Sequence, residues 1–206
     1  ALTVSIVIPV YNERDTIAEI VARVRAVGVH SEIVIVDDGS TDNTADIVRP
    51  YLVNASIQYI RTENSGVSAA RNTAIAATTG ELVALLDADD IWHSDKLKLQ
   101  LPLFSNPNVG VVYSGVERFD GDGIIQSRSV RRLRREEMLW SLMQRSPIAT
   151  SSAVVRRECF RKVGMFPIQF HQSEDYHLWL RIAAAGFAFD CVNQPLVRYR
   201  TGHDSA

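Results

Sequence analysis

Val4 to Val10 is an apolar, β-branched run that carries Pro9 near its end, and it predicts a first buried strand. Ile17, Ile20, Val21, Val24 and Val27 then recur at helical spacing until Gly28 stops them. Asn12 is placed to cap that helix, with Glu13 and Asp15 in its first turn. Ile33 to Val36 predicts a second strand, which runs into the turn-rich Asp37-Asp38-Gly39-Ser40-Thr41-Asp42 and a helix bearing Ala45, Ile47 and Val48. A third strand, Ile57 to Ile60, is followed by a loop from Thr62 to Gly66 and an Ala-rich helix from about Val67 to Thr78, which Gly80 ends. Strands alternating with helices at this spacing predict a parallel α/β sheet.

The fourth apolar run, Leu82 to Leu86, breaks into Asp87-Ala88-Asp89-Asp90. Burying three clustered carboxylates unpaired is costly, and open α/β sheets bind ligands at the carboxyl ends of their strands. A hard divalent cation suits such oxygens. Mg²⁺ typically takes one or two protein carboxylates and completes its shell with water and phosphates. The competing reading is a solvated, Asp-rich turn that caps the next helix. Both Asp-bearing strand ends, at Asp37-Asp38 and at Asp87-Ala88-Asp89, are expected on one edge of the sheet. No GxGxxG turn follows the first strand, so the dinucleotide fingerprint is absent.

The second half is less regular. Strands are expected at Val109 to Val116, Ala149 to Val155, Phe187 to Val192 and Leu196 to Tyr199, with a hairpin over 119–125. Helices are expected at Arg135 to Gln144 and from Glu174 to about Ala185, the latter with Ser173 at its N-cap. No repeat or linker interrupts the chain. One domain is expected over 1–206, with a nucleotide-binding half at 1–90 and an acceptor-binding half at 91–206.

Composition changes this picture little. The chain has 206 residues, 46% hydrophobic and 22% charged, with net charge -2, so nothing in it calls for a nucleic-acid partner. Cys159 and Cys191 are too few and too far apart for a disulfide framework or a zinc site. No apolar run approaches the roughly 20 residues of a membrane span. The expected location is the cytoplasm, with peripheral contact at the inner face of the cell membrane as an option. The chain begins without Met and stops soon after a strand-like segment, which leaves room for an anchor outside it.

Five segments in order carry a resemblance: Val4 to Glu13, Ile35 to Asp42, Asn64 to Asn72, Asp87 to Asp90, and Glu174-Asp175-Tyr-His-Leu-Trp-Leu-Arg181. Together they resemble the inverting family 2 glycosyltransferases of GT-A fold, a Rossmann-like mixed α/β sheet with flanking helices. The resemblance implies transfer of a sugar from a nucleotide diphosphate donor to an acceptor hydroxyl, aided by Mn²⁺ or Mg²⁺. By position in the family pattern, Asp89 would contact the metal, and Asp87 and Ala88 would lie by the ribose or the metal-bound water. Asp90 is the second choice of ligand, or starts a helix. Pro9, Tyr11, Asp38 and Arg71 would form the base pocket, with Glu13 either capping the first helix or touching the ribose. Ordinary packing for Tyr11 and an exposed helix position for Arg71 are the plainer alternatives. An Asp38 carboxylate accepts the N3–H of uracil or thymine, guanine also offers donors, and neutral cytosine lacks that N–H. UDP or dTDP sugars therefore lead.

The resemblance makes Asp175 the general base, within hydrogen-bond reach of the acceptor proton. At about 100° per residue Glu174 and Asp175 face different ways, so one is expected in the cleft while the other caps or touches the acceptor. His203, in the terminal Tyr199-Arg200-Thr201-Gly202-His203, would approach the metal or diphosphate. His30, His93, His171 and His177 form no metal-spacing pattern. Trp92 is a possible sugar contact, and Trp179 is better read as core or cleft wall. The basic run Arg128, Arg131, Arg132, Arg134 and Arg135 is read as a solvated segment, or as contacts to the diphosphate or to a phosphate-bearing, lipid-linked acceptor. Acceptor contacts are also expected from 166–171. The family often builds cell-envelope polysaccharides, with saccharide or lipid-linked acceptors. A polyprenyl-phosphate sugar synthase and a non-catalytic nucleotide-sugar-binding module are the alternative readings. A nucleotidyltransferase would want a Gly/Arg/Lys-rich loop where Tyr11-Asn12-Glu13 stands, and a phosphatase would want Thr or Val after Asp89.

Overall fold

The computed structural model describes residues 2–28, 32–120, 123–144, 146, 148–170 and 172–201. The strands are β1 (Val4–Val10), β2 (Glu32–Asp37), β3 (Ile57–Arg61), β4 (Leu82–Leu85), β5 (Ile91–Trp92), β6 (Val109–Asp120), β7 (Gly123–Arg128), β8 (Val154–Arg156) and β9 (Ala188–Arg200). The helices are α1 (Ile17–Val27), α2 (Thr44–Val48), α3 (Val67–Ala77), α4 (Lys96–Gln100), α5 (Arg135–Gln144), α6 (Arg157–Val163) and α7 (Glu174–Ala184). All the strands join one sheet in the order β3-β2-β1-β4-β8-β6-β9-β5, with β7 added to β6.

The expected parallel sheet holds from β3 to β4. Beyond β4 it becomes mixed: β8 enters antiparallel between β4 and β6, and β9 runs parallel to β6. β1 is buried throughout, because the sheet is covered on both faces. Its Ile6, Ile8 and Val10 meet α1, α2 and α4 in one core, and its Val7 meets α3, α5, α6 and α7 in the other. Ile17, Ile20, Val21 and Val24 form the buried face of α1, and Gly28 ends it at φ 68°, in the left-handed region that suits glycine.

Several local expectations are corrected. Asn12 does not cap α1, which starts at Ile17 after Thr16. It sits at φ 56° instead, and its side-chain oxygen accepts the N–H groups of Thr41 (2.7 Å) and Asp42 (3.3 Å). Asn tolerates that conformation because its short polar side chain bonds locally. The stretch expected as a strand from Ala149 begins as a 3₁₀ turn, Thr150–Ser152, and becomes strand only at Val154. The two last expected strands are one, β9, whose register against β6 shifts rather than breaks. α4, α6 and β5 were not anticipated. The turn of the expected hairpin, residues 121–122, lies outside the described residues. Among the described residues no helix is long and apolar enough to cross a membrane.

Candidate active site

β1 is the switch point of the sheet, with β2 and β3 on one side and β4 on the other. Val7 still accepts from Leu86 N–H at 3.1 Å, but pairing between β1 and β4 ends there. Pro9 lies two residues on, where its backbone points the same way and meets no partner strand, so its missing N–H costs no ladder bond. A crevice opens between the strand ends, the usual place for a ligand in an α/β sheet.

Two loops stand at the β1 and β2 side of that crevice. Asp37 is fully buried, accepts from Ser40 N–H at 2.7 Å and takes the Tyr59 hydroxyl. Gly39 turns the chain at φ 80°, and a Cβ there would lie 2.9 Å from the backbone nitrogen of Asn64. Asp38 is buried beside it and accepts the N–H groups of Ser65 (2.9 Å) and Gly66 (2.8 Å), which pins the loop 62–66 to the end of β2. Tyr11 is half-buried just past β1. Glu13 serves the start of α1: its carbonyl accepts Ile17 N–H at 2.9 Å, and its carboxylate accepts the Thr16 hydroxyl.

Arg71 is buried rather than exposed on α3. Its two terminal nitrogens donate at 2.6 Å to Asp87, at the end of β4, and at 2.6 Å to Glu174, at the start of α7. Burial alone would lower its pKa, but the two carboxylates outweigh it and hold the guanidinium charged. The Phe166 ring lies 5.3 Å from the guanidinium, and Asn72 exchanges hydrogen bonds of 2.8 and 2.9 Å with the Phe166 backbone. Phe166, expected as an acceptor contact, is therefore core that supports Arg71. Ile168 and Phe170 from the same stretch are exposed, and His171 lies outside the described residues.

The Asp87 backbone N–H donates to Ser151 Oγ at 3.0 Å, and Ala88 packs into the core behind it. Asp90 starts no helix: it is buried and accepts Arg200 N–H at 3.0 Å, tying the acidic end to β9. Burial, then the charges of Asp89 and Asp87, raise its pKa well above the ordinary carboxylate range. A carboxylate cluster that strains its own most buried member is the donor chemistry a hard cation relieves. Among the described residues no three acidic, His or Cys side chains converge as a complete metal cage. The residues present would suit a cation only if Asp89, and in part Asp87, held it and a ligand's oxygens completed its shell. His203, expected as a further ligand, lies outside the described residues, as does His30.

Asp175 accepts the Thr150 hydroxyl at 2.9 Å and the Tyr176 N–H at 2.6 Å. Burial raises its pKa, and these two hydrogen bonds oppose the rise without cancelling it. Glu174 and Asp175 have different partners, as helical spacing requires, yet both line one cavity of about 600 Å³ together with Arg71 and Asp87. Residues of the β6–β7 ribbon and Tyr199 of β9 line it too. Trp92 is not in the cavity: it is buried, with its indole N–H donating to Ser151 carbonyl at 2.8 Å and Lys96 Nζ 4.0 Å from its ring centroid. Trp179 is core.

Thr150 and Ser151 are site residues that the sequence reading passed over. Three consecutive small hydroxyl residues, Thr150-Ser-Ser152, inside an apolar run were the available signal. Of the basic run, Arg128 lines the cavity, whereas Arg132 pairs with Asp190 at 3.0 Å and Arg134 with Glu137 at 3.4 Å.

Residues 5–164 match the family described as Glycosyl transferase family 2. The chain is 32% identical over 206 residues to a Bacillus subtilis (strain 168) glycosyltransferase named for teichuronic acid biosynthesis, TuaG, covering 98% of this chain and 80% of that one. It is 31% identical over 201 residues to the Escherichia coli UDP-Glc:alpha-D-GlcNAc-diphosphoundecaprenol beta-1,3-glucosyltransferase WfaP, covering 96% and 76%. The solved mannosyltransferase PcManGT of Pyrobaculum calidifontis, in complex with GDP-Man and Mn²⁺, superposes with a TM-score of 0.72 at 26% identity, over 93% of this chain and 55% of that one. The chain spans as little as 26% of the length of other curated relatives that it matches. A mixed sheet with its acidic edge at the switch point is the GT-A arrangement, and on the match across most of its length the chain belongs to the family 2 glycosyltransferases.

Proposed function

We propose that the chain transfers a sugar from a nucleotide diphosphate donor to an acceptor hydroxyl with inversion, Asp175 acting as general base. The observation that carries this reading is the Arg71 bridge. Arg71 ties Asp87, on the donor side, to Glu174, whose neighbour Asp175 opens on the same cavity. The base of one substrate and the charge site of the other are thus held in fixed relation, which in-line displacement requires.

The base of the nucleotide lies at the β1 and β2 ends, beside Tyr11 and Pro9. Asp38 keeps acceptor capacity beyond its two bonds to backbone N–H, and the N3–H of uracil or thymine suits it. Glu13 holds the start of α1 beneath the ribose. Asp89, with Asp87 and the Ala88 backbone, faces the diphosphate. Mn²⁺ or Mg²⁺ held there would stabilise the charge that develops on the leaving diphosphate. Asp175 takes the proton of the attacking hydroxyl as the new bond forms opposite the departing nucleotide. Its burial raises its proton affinity, which favours that transfer, and Thr150 keeps the carboxylate oriented. The acceptor is a saccharide or lipid-linked saccharide of cell-envelope polysaccharide synthesis, a reading supported by the teichuronic acid biosynthesis named for TuaG and the GlcNAc-diphosphoundecaprenol named for WfaP.

Calorimetric titration of UDP, dTDP, GDP and CDP, with Mn²⁺ and with chelator, tests the donor half. UDP or dTDP is expected to bind with metal, and Asp89→Ala to weaken it at least about tenfold, or 1.4 kcal/mol. If no nucleotide binds under either condition, the transferase reading fails. If GDP binds best, the Asp38 assignment to uracil or thymine fails.

A further inference from the structure

Among the described residues, two arginines lining the cavity, Arg118 and Arg128, form no ion pair, while the carboxylates of Asp87 and Glu174 that share the cavity are taken by Arg71. Arg118 on β6 lies opposite Gln126 on β7 and beside Tyr199 on β9, while Arg128 on β7 lies opposite Val116. Directly opposed residues share a face of an antiparallel pair, so Arg118 and Arg128 are diagonal neighbours on one face, with backbones roughly 7–8 Å apart. Both line the cavity, and among the described residues neither guanidinium makes a hydrogen bond or ion pair. Farther along the run, Arg132 and Arg134 are paired. Like charges placed diagonally on one sheet face repel. A wall that keeps two such charges unpaired, on a cavity that Asp175 also lines, is arranged for an anion supplied from outside.

We infer that Arg118 and Arg128 bind a phosphoryl group on the acceptor, so that the acceptor is a phosphorylated saccharide and its hydroxyl is presented to Asp175. The inference rests on the transferase reading above. Position in the sheet separates this group from the donor's diphosphate: β6 lies two strand positions beyond β4, whose end carries Asp87, roughly 10 Å away on the side opposite β1 and β2. A phosphoryl ester is also favoured over a sugar carboxylate. One guanidinium satisfies a carboxylate in bidentate fashion, whereas two spaced guanidinium groups match the three or more oxygens of a phosphoryl or diphosphoryl group. A lipid diphosphate-linked saccharide and a phosphodiester polymer share this chemistry.

The test uses wild type, Arg118→Ala, Arg128→Ala and the double variant, each with Mn²⁺ and UDP present, titrated calorimetrically with four probes. These are octyl N-acetylglucosamine 1-diphosphate, a glycerol-phosphate oligomer, octyl N-acetylglucosaminide without phosphate, and octyl glucuronide. Both arginines are exposed, so the variants are expected to unfold at the wild-type temperature, which thermal melting checks. Wild type is expected to bind one of the two phosphorylated probes better than the glycoside, and the stronger of them identifies the source. The double variant is expected to bind that probe at least tenfold more weakly, with UDP affinity changed less than twofold. Phosphorylated probes that bind wild type no better than the glycoside, or a preference for the glucuronide, would overturn the inference. So would a double variant that loses UDP rather than the probe, which assigns the arginines to the donor. If wild type binds no UDP with Mn²⁺, the transferase reading itself has failed; if UDP binds and only the arginine effect is missing, that reading stands and this one falls.

Discussion

Replacing Arg71 with Met removes the guanidinium and keeps most of the side-chain volume, so the change is mainly electrostatic. Two contacts of 2.6 Å are lost at once, from a side chain 6% exposed to carboxylates that are 23% (Asp87) and 12% (Glu174) exposed. Removing one partner of a buried ion pair costs about 3–5 kcal/mol, chiefly because the other charge stays behind without compensation. Here two carboxylates stay behind, but both retain some contact with solvent, so the same range of about 3–5 kcal/mol is expected for the pair of contacts. For a chain of this size each kcal/mol lowers Tm by roughly 2–4 °C, giving a fall of roughly 6–20 °C. Urea denaturation followed by circular dichroism measures it, with an unchanged m-value to show that the unfolded state is not the cause. Arg71→Lys is expected to recover only part of the loss, since one ammonium cannot fork between two carboxylates. A loss under about 1 kcal/mol for Arg71→Met would refute the reasoning and reduce the bridge to a solvated contact.

Asp175→Asn is expected to lower kcat by about 10²–10⁴-fold, the range of a lost general base, while the Kd for UDP with Mn²⁺ stays within twofold. In the proposed mechanism Asp175 acts as the carboxylate, so kcat/KM should rise with pH through its raised pKa. Thr150→Val removes a hydrogen bond that favours the carboxylate, and should move that limb up by about one pH unit or less, as initial-rate profiles would show. Lys96 is fully buried, its Nζ lies over the Trp92 face without a hydrogen-bond partner among the described residues, and burial lowers its pKa well below the usual lysine value. Unfolded chains bind that proton up to about pH 10, so folded-state stability gains as pH rises toward that value. Lys96→Met is expected to stabilise the protein by about 1–3 kcal/mol at pH 7 and by less at pH 10 in urea melts, and an equal gain at both would contradict this account.

Local pattern was enough for the N-terminal half of the sheet. The apolar runs of β1, β2 and β4 are buried on both faces and so read as continuous hydrophobic stretches, and α1 declares itself through its 3.6-residue period and Gly28. Since parallel strands point one way, the acidic ends of β2 and β4 had to share an edge, and the candidate site was legible there. What the sequence could not specify was each polar side chain's partner. Arg71 was legible as a base-pocket residue but not as a bridge, because its partner Glu174 lies 103 residues away. Asn12 looked like a helix cap because the Thr41 and Asp42 N–H groups it serves come from the next strand's loop. Trp92 looked available to a sugar because only packing against Ser151 and Lys96 buries it. Periodicity records which face of an element is apolar, and that property belongs to the segment alone. The insertion of β8 between β4 and β6, and the cavity walls it brings together, depend on contacts between distant segments, so only the tertiary structure decided them.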